Sequence, residues 1–180
     1  MATWIVLLRG VNVGGRHILP METLRELLVG AGFSDVRTYI QSGNCIFRSE
    51  DRDRCSIADT VSGLIEDAYG FRPAAFVLTP DELDAALAAN PFPADEPKAV
   101  HLQFLDGTPD TMDLDGLRAV AQPGEDAALI DNVLYLFLPH GAGRSPVAQK
   151  LGQFVKAGMT GRNIGSVRKI AEMARALTGE

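Results

Sequence analysis

The sequence predicts an α+β fold made of two similar halves, and three observations carry that expectation. An unbroken apolar run, Trp4-Ile5-Val6-Leu7-Leu8, opens the chain as a strand. Amphipathic helical stretches alternate with short apolar strands. The order strand, helix, hairpin, helix then recurs after a proline-rich break at Asn90-Pro91-Phe92-Pro93 with Pro97. At 180 residues, 46% hydrophobic and 22% charged, the chain is long enough to bury a sizeable core and too apolar to stay disordered.

The first strand, Thr3 to Arg9, reads as buried on both faces because its apolar residues run on instead of alternating, which puts it inside a sheet. Pro20 then suits a first helical turn, and Met21, Leu24, Leu27 and Leu28 share one face of the helix that follows. Gly30 and Gly32 end it. Val36 to Gln41 and Asn44 to Ser49 read as two strands around the tight turn Ser42-Gly43. A helix from about Arg52 to Tyr69 and a strand from Pro73 to Leu78 complete a β-α-β-β-α-β unit of the ferredoxin-like kind. In such a unit a right-handed crossover makes the first two strands parallel, and the third lies between them, antiparallel to both. The end of strand one and the start of strand three then share a sheet edge, which brings the loop Arg9 to Gly15 beside Gln41 to Asn44.

Thr79-Pro80-Asp81-Glu82 is a capping box opening an alanine-rich helix to Ala89, so Asp81, Glu82 and Asp84 read as first-turn residues favoured by the helix dipole. The second half offers a strand over Lys98 to Leu105, a helix over about Asp110 to Ala121, and hairpin strands Ala127 to Ile130 and Val133 to Leu138 around Asp131-Asn132. A helix over Pro146 to Val155 follows. Met159 to Val167 opens the last helix, with Asn163 or Thr160 as N-cap and Val167, Ile170, Ala171, Ala174 and Leu177 as its apolar stripe. The expected organisation is a ferredoxin-like half over 1–79, a helix and proline-rich connection over 80–97, and a second ferredoxin-like half with the extra C-terminal helix over 98–180. That helix closes against the first half, and the whole forms one compact unit.

Composition excludes several classes. The N-terminal stretch lacks a basic segment, a long apolar core and a small-residue cleavage site, and no run approaches membrane-spanning length, so a cytoplasmic protein with no membrane partner is expected. Cys45 and Cys55 have no C-x-x-C spacing, which argues against a disulfide framework or a zinc site. His17, His101 and His140 show no ligand spacing, and nothing resembles a nucleophile elbow, so neither a metal nor a cofactor is expected. The net charge of -6 divides unevenly: residues 1–48 carry five basic and three acidic groups, 49–139 five and eighteen, and 140–180 seven and two. A basic C-terminal segment can meet phosphate or nucleic acid, but Arg168, Lys169 and Arg175 on one helix read first as a solvated face. The first strand also lacks the aromatics of an RNA-stacking sheet, and no sequence-specific nucleic-acid binding is expected.

Two loops carry the functional signal. Gly10-Val11-Asn12-Val13-Gly14-Gly15 joins a strand to a helix as phosphate-cradling loops do, yet it matches neither G-x-G-x-x-G nor G-x-x-x-x-G-K-[ST]. Its glycines are equally explained by a connection needing positive φ, whereas Asn12, flanked by Arg9 and Arg16, is an amide that geometry alone does not require. Gln41-Ser42-Gly43-Asn44 is first a hairpin turn, in which Gln41 and Ser42 are the residues the turn needs least. Arg162, read as lying beside a helix N-terminus, unites a guanidinium with free N–H donors, a good arrangement for a phosphate or carboxylate.

Leu7 to Gly15, Tyr39 to Asn44, Asn90-Pro91-Phe92 and Thr160 to Asn163 together resemble the bacterial family of domain of unknown function 1697, over essentially the whole chain. The resemblance implies a cytoplasmic α+β protein with ferredoxin-like halves and no assigned activity. The family's last motif reads threonine, threonine, arginine, asparagine, tryptophan, asparagine, threonine. This chain has Gly161, Ile164, Gly165 and Ser166 at the differing positions, so the aromatic group is missing.

The expected function is binding of a small anionic ligand, a nucleotide or sugar phosphate, in a cleft formed by Arg9, Asn12, Gly14, Gly15, Gln41, Ser42, Asn44, Arg162 and Asn163. Two alternatives stand beside it. One is an enzyme of phosphoryl- or acyl-transfer type at the same cleft, its base unassigned. The other is an interaction module in which both loops and the basic last helix meet a protein partner or a second copy of the chain as a homodimer, which predicts an exposed apolar patch.

Overall fold

The structure is a computed structural model and describes residues 1–179. It is an α+β fold whose sheets are antiparallel throughout and whose described residues include six α-helices. The chain divides into two units, Met1–Asp84 with Lys169 onward, and Ala85–Arg168.

In the first unit β1 (Ala2–Leu8), β2 (Ser34–Tyr39), β3 (Asn44–Ser49) and β4 (Ala75–Leu78) form one sheet in the order β2-β3-β1-β4. The unbroken apolar run therefore does sit inside the sheet: Ile5, Val6, Leu7 and Leu8 are at most 1% exposed. Trp4, Val6 and Leu8 face a core shared with Cys45 and Phe47 of β3, with Val11, Leu19, Phe33 and Val77, and with two helices. Those helices are α1 (Met21–Gly30), through Leu24 and Leu28, and α2 (Arg54–Tyr69), through Ile57, Val61 and Ile65. Each such side chain taken from water contributes about 1.5–3 kcal/mol, so the helix-facing side of the sheet holds the unit together. Asp53 caps α2 by accepting the Cys55 N–H at 2.9 Å, and Gly70 ends it with φ +76. The third strand lies between the first two and pairs antiparallel with β1 and β2, as the crossover argument requires.

The capping box is reciprocal. Thr79 N–H donates to Glu82 Oε2 at 2.8 Å, and Glu82 N–H donates to Thr79 Oγ1 at 3.2 Å, opening α3 (Pro80–Ala88).

In the second unit β5 (Val100–Leu105), β7 (Asp126–Ile130), β8 (Val133–Phe137) and β10 (Met159–Asn163) form a sheet in the order β10-β5-β8-β7. Its core joins Leu134 and Leu136 of β8 to Leu117 of α4 (Leu114–Ala119) and to Val147 and Leu151 of α5 (Pro146–Phe154). Three expectations are corrected. The helix expected over Asp110 to Ala121 is only α4, because Asp113 caps it through a 2.8 Å bond from the Gly116 N–H. Just before it, β6 (Thr111–Met112) pairs with β9 (Val155–Lys156). Met159 to Asn163 is a strand paired with β5, not the lead-in to a helix, and α6 (Ile164–Thr178) starts directly after it. Finally, the first hairpin turns over four residues, Ile40–Gly43, because Tyr39 and Asn44 are its last paired residues.

Candidate functional site

β1 ends between its two neighbours. Leu8 N–H donates to the Gly43 carbonyl at 2.9 Å, and Arg9 N–H donates to the Ala74 carbonyl at 3.0 Å. The chain then folds into a miniature hairpin: Asn12 N–H reaches the His17 carbonyl and Arg16 N–H the Val13 carbonyl, each at 3.0 Å. Gly14 and Gly15 are its two-residue turn, with φ +59 and +71, the pair of positive values that a type I′ turn demands. No atom lies within 4 Å of a Cβ placed on either glycine, so they are needed for backbone conformation and leave their surface open.

Asn12 ties this hairpin to its neighbours. Its Nδ2 donates to the Leu19 carbonyl at 2.9 Å and to the Gln41 carbonyl at 2.7 Å, while its Oδ1 accepts the Leu19 N–H at 2.8 Å. The amide that geometry was not expected to require is thus a clamp: both its N–H groups serve backbone carbonyls, and one oxygen lone pair is left over.

The neighbouring turn is held as tightly. Gly43 has φ +76, and a Cβ there would sit 2.6 Å from Val11 Cγ2 and 2.8 Å from Leu8 Cβ, so glycine is required by space as well as by conformation. Asn44 is fully buried and its Nδ2 donates to the Tyr39 carbonyl and to Ser42 Oγ, both at 2.9 Å. Ile40 occupies φ +48 while half exposed, a conformation that costs a β-branched residue free energy.

The structure brings Arg9, Asn12, Gly14, Gly15, Gln41, Ser42 and Asn44 together at one edge of the first unit. Arg9, Gly14, Gly15 and Gln41 are exposed there, Ser42 is half-buried, and Asn44 lies beneath them. Arg162 and Asn163 belong to the second unit. Arg162 is buried in β10, where Nη1 donates to Thr160 Oγ1 at 2.9 Å and to the Gly161 carbonyl at 2.8 Å. One of the helix N–H groups expected to be free beside it is taken: Asn163 Oδ1 accepts the Ser166 N–H at 2.9 Å and so caps α6.

Electrostatics set the first-unit edge apart. Segments 9–21 and 36–44 contain Arg9, Arg16 and Arg37 and no carboxylate. Among the described residues none of these three arginines makes an ion pair, whereas Arg48, Arg54, Arg72 and Arg175 of the same unit are matched with Asp35, Glu82, Asp59 and Asp84. Lys169 likewise pairs with Glu172 at 2.7 Å, so most of the final helix's positive charge is solvated or already matched.

Three features of this edge were not legible from local pattern. His17 stacks on Phe71 with ring centroids 4.4 Å apart and planes 15° apart. Its Nδ1 lies 3.1 Å from the Gly10 carbonyl, which can only accept, so that nitrogen carries the proton. Val13, Ile18 and Ile40 are 63%, 57% and 50% exposed, an aliphatic fringe on both loops. Val13 and Arg16 flanking Gly14-Gly15 was the available signal for the small hairpin. The other histidines serve structure, His101 Nε2 donating to the Lys98 carbonyl and His140 Nε2 to that of Pro123, each at 3.0 Å. Burial pushes the His101 imidazole below its ordinary range. Among the described residues no three His, Cys, Asp or Glu side chains gather as a metal site, and no helix is long and apolar enough to cross a membrane.

A family model described as Protein of unknown function (DUF1697) matches residues 1–135. The conserved bacterial protein SP0830 from Streptococcus pneumoniae has a similar structure, with TM-score 0.73 and 22% identity over 97% of this chain and 99% of that one, a likeness of fold. No curated protein matches the chain.

Proposed function

Since the chain belongs to the family Protein of unknown function (DUF1697), which carries no assigned activity, we propose from the edge geometry that the protein binds a small anionic ligand at the Arg9–Gly15 loop. The observation that carries this reading is the charge pattern. In a chain of net charge -6, the first loop carries Arg9 and Arg16 and the strand leading to the second carries Arg37, with no acidic residue in segments 9–21 and 36–44. Unmatched guanidiniums beside an open glycine turn attract phosphate or carboxylate, and the turn's backbone N–H groups add donors of the same sign. Asn12 and Asn44 act in this reading as scaffolding, while Arg9, Arg16, Gly14, Gly15 and the side chains of Gln41 and Ser42 are the ligand contacts. Arg162 and Asn163 are left to the second unit. The same reading takes each half as ferredoxin-like, supported by the strand orders β2-β3-β1-β4 and β10-β5-β8-β7, and takes the protein as cytoplasmic.

The test is a thermal-shift and calorimetric series with inorganic phosphate, pyrophosphate, ribose 5-phosphate and AMP, run on the wild type and on Arg9→Gln/Arg16→Gln. Binding at a hundred times the dissociation constant adds about 2.7 kcal/mol of stability. The expected result is saturable stabilisation of the wild type that the double variant loses while keeping its ligand-free midpoint. Absence of any shift in the wild type, or an equal shift in the variant, overturns the reading.

A second reading, association with another copy of the chain through this edge, is favoured by the exposed fringe of Val13, Ile18 and Ile40. The acidic excess of residues 49–139, eighteen acidic groups to five basic, is of complementary charge. Sedimentation of the wild type against Val13→Ser/Ile18→Ser decides it: a dimer that the variant abolishes supports it, and a wild-type monomer overturns it.

A further inference from the structure

The arginine edge carries a fixed aromatic ring as well as charge. His17 follows Arg16 directly, and three independent constraints hold its ring: the left-handed backbone at φ +51, the Nδ1 bond to the Gly10 carbonyl, and the stack on Phe71. Phe71 in turn meets Tyr69, with ring centroids 6.3 Å apart and planes tilted by 55°. His17 nevertheless remains exposed within the loop that bears the arginines. A loop built only to hold phosphate does not need this ring. A ring whose rotamer is already fixed loses little conformational freedom when a second ring stacks on it.

Resting on the anion-binding reading, we propose that the ligand is a nucleotide, its phosphate met by Arg9, Arg16 and the Gly14-Gly15 turn and its base stacked on the His17 ring. Stacking is tolerant of base identity because every base has a π-face. The site therefore separates nucleotides from sugar phosphates more sharply than purines from pyrimidines. A free mononucleotide is favoured over a nucleic-acid strand because the loop offers one exposed ring, whereas strand-binding grooves line up several.

The test compares AMP, CMP, ribose 5-phosphate and a ten-nucleotide single-stranded RNA by calorimetry on the wild type, His17→Asn and Phe71→Leu. Asparagine tolerates the left-handed conformation, so His17→Asn removes the ring without adding backbone strain. The expected outcome is that AMP and CMP bind the wild type at least ~10-fold more tightly than ribose 5-phosphate, and that His17→Asn removes most of this advantage while ribose 5-phosphate is unaffected. Phe71→Leu, which frees the His17 ring, is expected to erode the advantage in part. Equal binding of AMP and ribose 5-phosphate to the wild type, or an equal loss of both in His17→Asn, overturns the nucleotide assignment and leaves the anion-binding reading standing. Failure of all four probes to bind overturns both. An RNA that binds more than ~10-fold tighter than AMP shows a strand-binding surface and overturns the free-nucleotide assignment.

Discussion

Asn12 Nδ2 lies 2.7 Å from the carbonyl oxygen of Gln41, so one side chain joins the loop after the first strand to the loop before the third. This bond fixes the spacing between the two loops. It also explains why an asparagine stands there, since only a primary amide on a short stem can donate to two carbonyls, accept one N–H and occupy φ +53 at little cost.

Asn12→Ala removes all three bonds and strands the N–H of Leu19, a residue with no solvent exposure. The expected loss is about 2–4 kcal/mol of unfolding free energy by urea titration. Asn12→Asp keeps the acceptor for Leu19 but sets a carboxylate against two carbonyls, and is expected to cost as much at neutral pH. A neutral Asn12→Ala result shows that Asn12 does not clamp the two loops.

Gly43→Ala introduces two penalties at one position. Positive φ costs an L-residue about 1–2 kcal/mol, and a Cβ at 2.6 Å from Val11 and 2.8 Å from Leu8 adds overpacking of about 1–3 kcal/mol. Val11→Ala in the same chain is expected to relieve part of the second penalty and none of the first. A double-variant cycle reads this as a favourable coupling, and strict additivity contradicts the contact.

At Ile40 the sign reverses. Isoleucine at φ +48 is strained, and its side chain is half exposed, so little burial is lost on substitution. Ile40→Asn is expected to stabilise the protein by about 1 kcal/mol, seen as a melting temperature higher by about 2–4 °C. A fall in the midpoint shows that Ile40 packs more than its exposure implies.

The fold was legible wherever a local signal decided it. The Trp4 to Leu8 run announced a strand buried on both faces, and Thr79 with Glu82 announced the capping box. β10 was hidden because its inward residues are Thr160 and Arg162 while Met159, Gly161 and Asn163 are half-buried, so no apolar alternation marks it. Its strand character comes from pairing with β5, a contact set by distant chain. At the site, strand topology foretold the meeting of the two loops. The role of Asn12 was not legible, because a side chain satisfied by backbone two elements away reads in sequence as one free for a ligand. The His17 and Phe71 stack was hidden for the same reason.

The capping box supplies a pH dependence whose sign follows from Glu82. Burial raises its carboxyl pKa, but the Thr79 N–H and the Arg54 guanidinium at 2.7 Å outweigh that, and the group is held below its ordinary value. A carboxylate with a depressed folded pKa contributes stability that is fully present above its unfolded pKa and is lost as pH falls through the folded one. The difference in unfolding free energy between wild type and Glu82→Gln is therefore expected to be constant from pH 8 to about pH 6 and to shrink below the ordinary glutamate range of about 4.3. Thr79→Ala, which removes the other half of the box, is expected to cost about 1 kcal/mol at neutral pH. Urea titrations of the three proteins across this range check both statements. A wild-type advantage over Glu82→Gln that grows on acidification contradicts the assignment, since it requires a carboxyl that folding makes easier to protonate.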